Sequence, residues 1–201
     1  MNQQEPSIKS TPPPPSILRR LIEKDISLSL RIHTLCQPVP RWFLKTLEIS
    51  GDGRFWFPVP IALLFSPLPS SSAQARSILI GLLIGSLLDL ALVGSIKHLI
   101  RRPRPVYNKG MHLTFAVDHW SFPSGHSSRV FFIAAFLYLS LVYGDGGDLR
   151  PSLLLGLVFV WSAVTSVSRV LLGRHFALDV FAGAALGVFE GLVVYRFLKK
   201  I

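Results

Sequence analysis

Charged residues are scarce in this chain, and carboxylates are the scarcest of them. Of its 201 residues, 16% are charged and 50% are hydrophobic, with 21 Lys and Arg against 11 Asp and Glu. A soluble domain usually carries about 25% charged residues, so the composition excludes an ordinary soluble protein. Several apolar runs approach the ~20 residues that a helix needs to cross a bilayer. The sequence therefore predicts an all-α, polytopic membrane helical bundle.

Three further absences narrow the possible chemistry. The single cysteine, Cys36, excludes an intrachain disulfide. The carboxylates form no acidic cluster of the kind that binds Mg²⁺. There is no zinc-finger spacing and no basic motif interleaved with aromatics, so nucleic acid is not expected as a partner.

Residues 1–16 are polar, contain four consecutive prolines and lack the apolar core of a signal peptide, which predicts a disordered tail.

Five apolar runs have the length, or nearly the length, that crosses a membrane. They cover residues 55–68, 77–96, 124–143, 152–172 and 176–198. The first run is short and contains three prolines, so it can span only if it is kinked. Residues 17–54 are interpreted as an amphipathic region on the membrane surface or as a first membrane helix. We therefore expect five to six transmembrane helices, with residues 55–201 as the membrane-embedded core.

Three short polar blocks stand at the ends of these apolar runs. They are Lys97-x6-Arg104-Pro105, Pro123-Ser124-Gly125-His126 and Ser168-Arg169-x5-His175-x3-Asp179. Because consecutive spans alternate in direction, the end of the 77–96 run, the start of the 124–143 run and the turn at 172–176 face the same side of the membrane. The blocks bring three cations, two histidines and one carboxylate to that side, and this inventory suits phosphate.

Each block also has an ordinary structural interpretation. The Pro-Ser-Gly-His block suits the start of a helix, where unpaired N–H groups favour an anion, but such turns are common. His175 and Asp179 are four residues apart, so on a helix the carboxylate can orient the ring for nucleophilic attack; a plain surface pair is the alternative. Lys97 and Arg104 can instead be topology signals.

Taken together and in this order, the blocks resemble the signature of the type-2 phosphatidic acid phosphatase superfamily, K-x6-RP, PSGH and SR-x5-H-x3-D. The resemblance covers roughly residues 75–198, without departure from the signature. It implies the haloperoxidase-like helical core and an integral membrane enzyme that hydrolyses a lipid phosphate or diphosphate. The segments 47–53, 121–122 and 168–175 are similar to the polyisoprenoid (presqualene) diphosphate phosphatase and plant lipid phosphate phosphatase beta branch. This implies an isoprenoid or other lipid substrate, and the endoplasmic reticulum or another endomembrane.

The resemblance also implies a role for each residue of the signature. His175 is expected to attack phosphorus and form a phosphohistidine, Asp179 to orient His175, and His126 to protonate the leaving oxygen and then help to activate water. The residues expected to bind the phosphate are Lys97, Arg104, Ser124, Gly125 and Arg169. Because three cations can neutralise a phosphate, no metal and no other cofactor is expected. The expected partners are a lipid phosphate substrate and membrane lipids.

Other functions remain open at this point. A catalytically silent transporter or scaffold is the non-enzymatic alternative, although the complete signature argues against a degenerate site. Two enzymatic alternatives are a haloperoxidase that uses vanadate in the same pocket and a sugar-phosphate phosphatase. Release of phosphate by the purified protein separates a phosphatase from a transporter or scaffold.

Several residues within the apolar runs fall outside the signature. An intramembrane carboxylate is a functional candidate, but for Asp89 and Glu190 a hydrogen bond to a neighbouring span is the favoured interpretation. Glycines recur every four residues at 183, 187 and 191, which predicts close helix packing. Arg174 is expected to extend to the membrane interface. Three histidines near the signature match no metal-ligand spacing and are interpreted as bystanders: His98, His112 and His119.

Overall fold

The computed structural model describes residues 17–66, 73–107, 119–144 and 153–200. Within these ranges the chain forms eight helices and no β-strand, which confirms the all-α prediction. The helices are α1 (Ile17–Leu35), α2 (Arg41–Ser50), α3 (Gly53–Trp56), α4 (Pro58–Leu64), α5 (Ala73–Ile100), α6 (Gly125–Val142), α7 (Leu153–Leu171) and α8 (Ala177–Leu198). The predicted tail at 1–16 and His112 lie outside the described residues.

Four helices of the described part are long and apolar enough to cross a membrane: α5, α6, α7 and α8. They match four of the five predicted runs, and α5 extends its run by a turn at each end. The expectation of five to six spans is therefore higher than the number found. The difference lies in the proline-containing run, where the chain forms α3 and α4 in place of one long helix.

The break between α2, α3 and α4 has local causes. The Asp52 side chain accepts a hydrogen bond from the Arg54 N–H at 2.9 Å, which caps α3 and separates it from α2. Pro58 then starts α4, because a proline lacks the N–H that would continue the preceding helix. α2 packs along α7, and α3 and α4 pack along α5.

α6 lies at the centre of the bundle and packs against α5, α7 and α8. Its buried apolar side chains Phe132, Ile133 and Phe136 form a core cluster with residues of α5 and α8. A Cβ added at Gly187 of α8 would collide with the backbone carbonyl of Ser128 in α6. The glycines of α8 therefore let the two backbones approach closely, as their spacing predicts.

α1 turns polar side chains inward. Its buried residues are Asp25 and Ser29, whereas apolar residues such as Leu18 and Leu21 are exposed. Nδ1 of His33 lies 2.8 Å from the carbonyl oxygen of Leu171 at the end of α7. α1 thus lies against the end of the bundle at which α7 ends and α8 begins. Both interpretations of this region, an amphipathic helix on the membrane surface and a first membrane helix, remain predictions.

Candidate active site

The three sequence blocks meet at one end of the bundle, as the alternation of the spans predicts. Lys97 is buried in the last turn of α5, and Ser124 caps the start of α6. The backbone N–H of Ser124 donates to the carbonyl oxygen of Asp179 at 2.9 Å, which joins α6 to α8. Nη1 of Arg104 lies 3.3 Å from Nε2 of His175. Residues up to 82 positions apart therefore share one site.

His175 is held in one tautomer by a backbone carbonyl. Its side chain is 2% exposed, and Nδ1 lies 2.8 Å from the carbonyl oxygen of Ser121. A carbonyl only accepts hydrogen bonds, so Nδ1 carries the proton and Nε2 carries the lone pair. Burial, followed by the charges of Arg104, Arg169 and Lys97, holds the pKa of His175 well below its ordinary value. The ring is therefore neutral, with its nucleophilic nitrogen beside Arg104.

The position of Ser121 is itself fixed by the segment that follows α5. The Ser121 N–H donates to the carbonyl oxygen of Arg102 at 2.8 Å, and its hydroxyl donates to that of Pro103 at 3.0 Å. The two ends of the long connection between α5 and α6 are thus tied together. This junction holds the carbonyl that orients His175.

The expected hydrogen bond between Asp179 and His175 is not formed. Oδ2 of Asp179 lies 3.7 Å from Nδ1, and it accepts instead from the Phe176 N–H at 2.9 Å. The i, i+4 geometry does not apply, because His175 precedes α8 and Asp179 is in the first turn of the helix. The carboxylate caps the helix, and its charge lies 3.7 Å from the imidazole. The Ser121 carbonyl takes the orienting position that the sequence assigns to Asp179.

The three predicted cations lie around this imidazole. Arg104 donates from Nη1 to the carbonyl oxygen of Arg174 at 2.9 Å, which fixes the guanidinium next to His175. Arg169 is 1% exposed and donates from Nη1 to Oε1 of Glu48 at 2.6 Å. Lys97 is 5% exposed. A phosphate beside His175 would meet positive charge from α5, from the segment after α5 and from α7.

The start of α6 supplies N–H groups on the same side. The Ser124 hydroxyl accepts from the Ser127 N–H at 3.4 Å and caps the helix. A Cβ added at Gly125 would contact only Cγ1 of Val93, at 3.3 Å. Gly125 is therefore packed closely against α5. Its N–H is among the first of α6, which have no partner within the helix and favour an anion.

His126 follows in the first turn of α6. Its Nε2 is buried and has no hydrogen-bond partner among the described residues. The α2–α3 turn packs against the ring, since a Cβ added at Gly51 would lie 3.5 Å from Cδ2 of His126. A buried ring nitrogen of this kind is available to exchange a proton with a bound substrate.

Glu48 is a site residue for which the sequence offered no role. It binds Arg169 and lies 3.5 Å from Nε of Arg174. Burial raises the pKa of Glu48, but the charges of Arg169, Arg174 and Lys45 outweigh it and hold this pKa below its ordinary value. Arg174 is only 1% exposed, so the expectation that it extends to the interface is wrong. The one sequence feature that singles out Glu48 is its place in segment 47–53, one of the segments that resemble the lipid phosphate phosphatase beta branch.

The two carboxylates within the apolar runs, Asp89 and Glu190, accept hydrogen bonds from a neighbouring helix. Nη2 of Arg129 in α6 donates to Oδ2 of Asp89 in α5 at 2.8 Å. The Ser128 hydroxyl donates to Oε2 of Glu190 in α8 at 3.4 Å. The favoured interpretation of both residues, a hydrogen bond to an adjacent helix, is confirmed.

The fold and the site together define a class: an integral membrane protein with a cationic, histidine-containing site at one membrane face. The chain belongs to the PAP2 superfamily, whose sequence model matches residues 77–201. This confirms the family expected from the three blocks.

Individual relatives agree with this assignment. The chain is 42% identical over 199 residues to the probable lipid phosphate phosphatase beta of Arabidopsis thaliana, covering 89% of this chain and 91% of that protein. Its fold is similar to the transmembrane PAP2 type phosphatidylglycerolphosphate phosphatase from Bacillus subtilis, with a TM-score of 0.70, 25% identity and coverage of 90% and 88% of the two chains. It is also similar to Aquifex aeolicus LpxE, with a TM-score of 0.61, 26% identity and coverage of 85% and 94%.

Proposed function

We propose that this protein, a membrane lipid phosphatase of the PAP2 superfamily, transfers the phosphoryl group of its substrate first to Nε2 of His175 and then to water. The observation that carries this proposal is the neutral, buried imidazole whose Nδ1–H is bound by the Ser121 carbonyl. That bond leaves the Nε2 lone pair beside Arg104, where a phosphate would be held. The names of the relatives, a lipid phosphate phosphatase and a phosphatidylglycerolphosphate phosphatase, support the same chemistry.

In the first step, Nε2 of His175 forms a bond to phosphorus while the bond from phosphorus to the leaving oxygen breaks. Protonated His126 gives its proton to that oxygen. The cations bind the non-bridging oxygens and stabilise the charge of the transition state. The imidazole becomes positive as it attacks, and the Ser121 carbonyl and the Asp179 carboxylate stabilise that charge.

In the second step, water attacks the phosphorus of the phosphohistidine. His126 accepts a proton from the water, the N–P bond breaks, and His175 returns to its neutral form. Inorganic phosphate is released. The three cations supply the charge neutralisation that a metal ion supplies in other phosphatases, so we propose that the reaction needs no metal.

We propose that the substrate is an isoprenoid or other lipid phosphate or diphosphate, and that the enzyme acts in the endoplasmic reticulum or another endomembrane. The site lies where apolar helices end, so a lipid can present its head group while its tail stays in the hydrocarbon region. The relative named lipid phosphate phosphatase beta supports a lipid substrate.

Phosphate release from the purified protein in detergent tests the function. The panel contains farnesyl, geranylgeranyl and presqualene diphosphate, phosphatidate and sphingosine phosphate, with glucose 6-phosphate as the soluble competitor. We expect turnover of at least one lipid and little turnover of the sugar phosphate. Transport of a lipid without hydrolysis would instead identify the silent transporter.

The role of His175 is tested with substrate labelled in its terminal phosphate. An alkaline quench, which preserves phosphohistidine, should yield labelled wild-type protein and no label in His175→Ala. Turnover should be lost in the same variant. Labelled phosphohistidine in His175→Ala would refute the assignment of the nucleophile.

A further inference from the structure

α1 supplies the cap for the start of α8. The Ser29 hydroxyl accepts from the Ala177 N–H at 2.8 Å, and Oδ1 of Asp25 accepts from the Leu178 N–H at 3.0 Å. The first N–H groups of a helix have no partner within the helix, and the residue before α8, Phe176, has no side-chain acceptor. Two buried residues of α1, about 150 positions away in sequence, therefore complete the helix that follows His175.

The second carboxylate oxygen of Asp25 begins a chain of charges that ends at the site. Oδ2 accepts from Nη2 of Arg102 at 2.7 Å, and Nη1 of the same guanidinium donates to Oδ1 of Asp179 at 2.6 Å. Arg102 is 14% exposed, Asp25 3% and Asp179 0%. The guanidinium also lies over the ring of Phe176, 4.2 Å from its centroid. One planar arginine fork thus bridges two buried carboxylates.

We propose that Asp25 is a positioning residue for the phosphatase reaction: it fixes Arg102, which in turn holds Asp179 beside His175. Arg102 is one of the six unspecified positions between Lys97 and Arg104 in the first block. α1 lies outside the matched segment 77–201. This inference rests on the nucleophilic role of His175 given under Proposed function.

The charge balance explains why a second carboxylate is useful. Arg102 alone would neutralise Asp179, and the pair would present no net charge to His175. With Asp25 added, the three side chains carry one net negative charge. That charge stabilises the imidazole as it becomes positive during attack, and it does so in a buried site where charges interact strongly.

The competing explanation is that Asp25 only caps α8. Two substitutions separate this structural role from the proposed positioning role. Asp25→Asn keeps an oxygen for the Leu178 N–H, but it removes the charge and turns an amide NH2 toward Arg102. Ser29→Ala removes the other cap and leaves all three charges in place. Ser29→Ala therefore removes one capping bond of α8 and leaves the charge chain in place, whereas Asp25→Asn keeps its capping oxygen and disrupts the charge chain.

The experiment measures kcat, KM and thermal unfolding of the full chain in detergent micelles. By analogy with residues that orient a reactive side chain, we expect Asp25→Asn to lower kcat about tenfold or more, with KM changed less than about threefold. We expect Ser29→Ala to lower the unfolding temperature while kcat stays within about twofold. Equal effects of the two variants on kcat would overturn the proposal.

Arg102→Lys gives a second test that does not depend on the folding of Asp25→Asn. Lysine keeps the positive charge but lacks the planar fork that bridges two carboxylates. A fall in kcat with little change in KM is expected, and wild-type kcat in folded Arg102→Lys would overturn the proposal. The proposed function fails separately, if wild-type protein releases no phosphate or if His175→Ala remains active.

Discussion

The buried pair between Glu48 and Arg169 should contribute measurably to stability. Oε1 of Glu48 lies 2.6 Å from Nη1 of Arg169, and the two side chains are 16% and 1% exposed. Removing one partner of a fully buried pair costs about 3–5 kcal/mol. Glu48→Gln keeps an oxygen acceptor and Glu48 is partly solvated, so we expect a smaller loss of about 2 kcal/mol. For a chain of this length, that corresponds to a fall of roughly 4–8 °C in Tm.

Glu23→Gln is the matched control. Glu23 also pairs with an arginine, Arg19, at 3.1 Å, but these side chains are 56% and 72% exposed. Exposed pairs of this kind contribute about 0–1 kcal/mol. Thermal unfolding of both variants in the same detergent measures the difference, and equal shifts in Tm would refute the reasoning.

The same pair predicts a dependence on pH. The folded-state pKa of Glu48 is lowered from 4.5, because the positive charges around it outweigh the effect of burial. A lowered pKa means that the stabilisation is complete above the unfolded value and is lost as the pH falls through the folded value. The difference in Tm between wild type and Glu48→Gln should therefore shrink as the pH falls below about 4.5. A difference that grows in acid would contradict this sign.

Three further outcomes follow from the site and the bundle. In an NMR titration of the free enzyme, His175 should remain neutral and protonated on Nδ1 at pH 6.5, because burial and three cations lower its pKa; a midpoint at or above 6.5 would contradict this. Gly187→Ala should destabilise the protein by about 1–3 kcal/mol or more through overpacking of α6 against α8, whereas Gly156→Ala, where an added Cβ meets nothing within 4 Å, should be tolerated. Phosphate release should persist in excess chelator, and loss of activity that Mg²⁺ restores would show that a metal is required.

Much of the fold follows from local properties of the chain. The four long apolar runs predict α5 to α8 because the length needed to cross a bilayer depends only on consecutive residues. The alternation of the spans then predicts which ends share a face, and the Lys97, His126 and His175 blocks do meet there. The division of the proline-containing run into α3 and α4 also has local causes, the Asp52 cap and Pro58. The packing of both short helices against α5 is decided only by the tertiary structure.

The sequence by itself determined the class of protein, the signature residues that gather at the site and the end of the bundle at which they meet. Only the tertiary structure decided which group orients the His175 ring and which side chain pairs with the Asp179 carboxylate. His175 is oriented by Ser121, 54 positions earlier, and Asp179 is bound by Arg102, 77 positions earlier. Arg102 is in turn bound by Asp25, another 77 positions toward the N-terminus. Such partners cannot be read from spacing, because hydrogen bonds and ion pairs are set by distances of about 3 Å between atoms that only packing brings together.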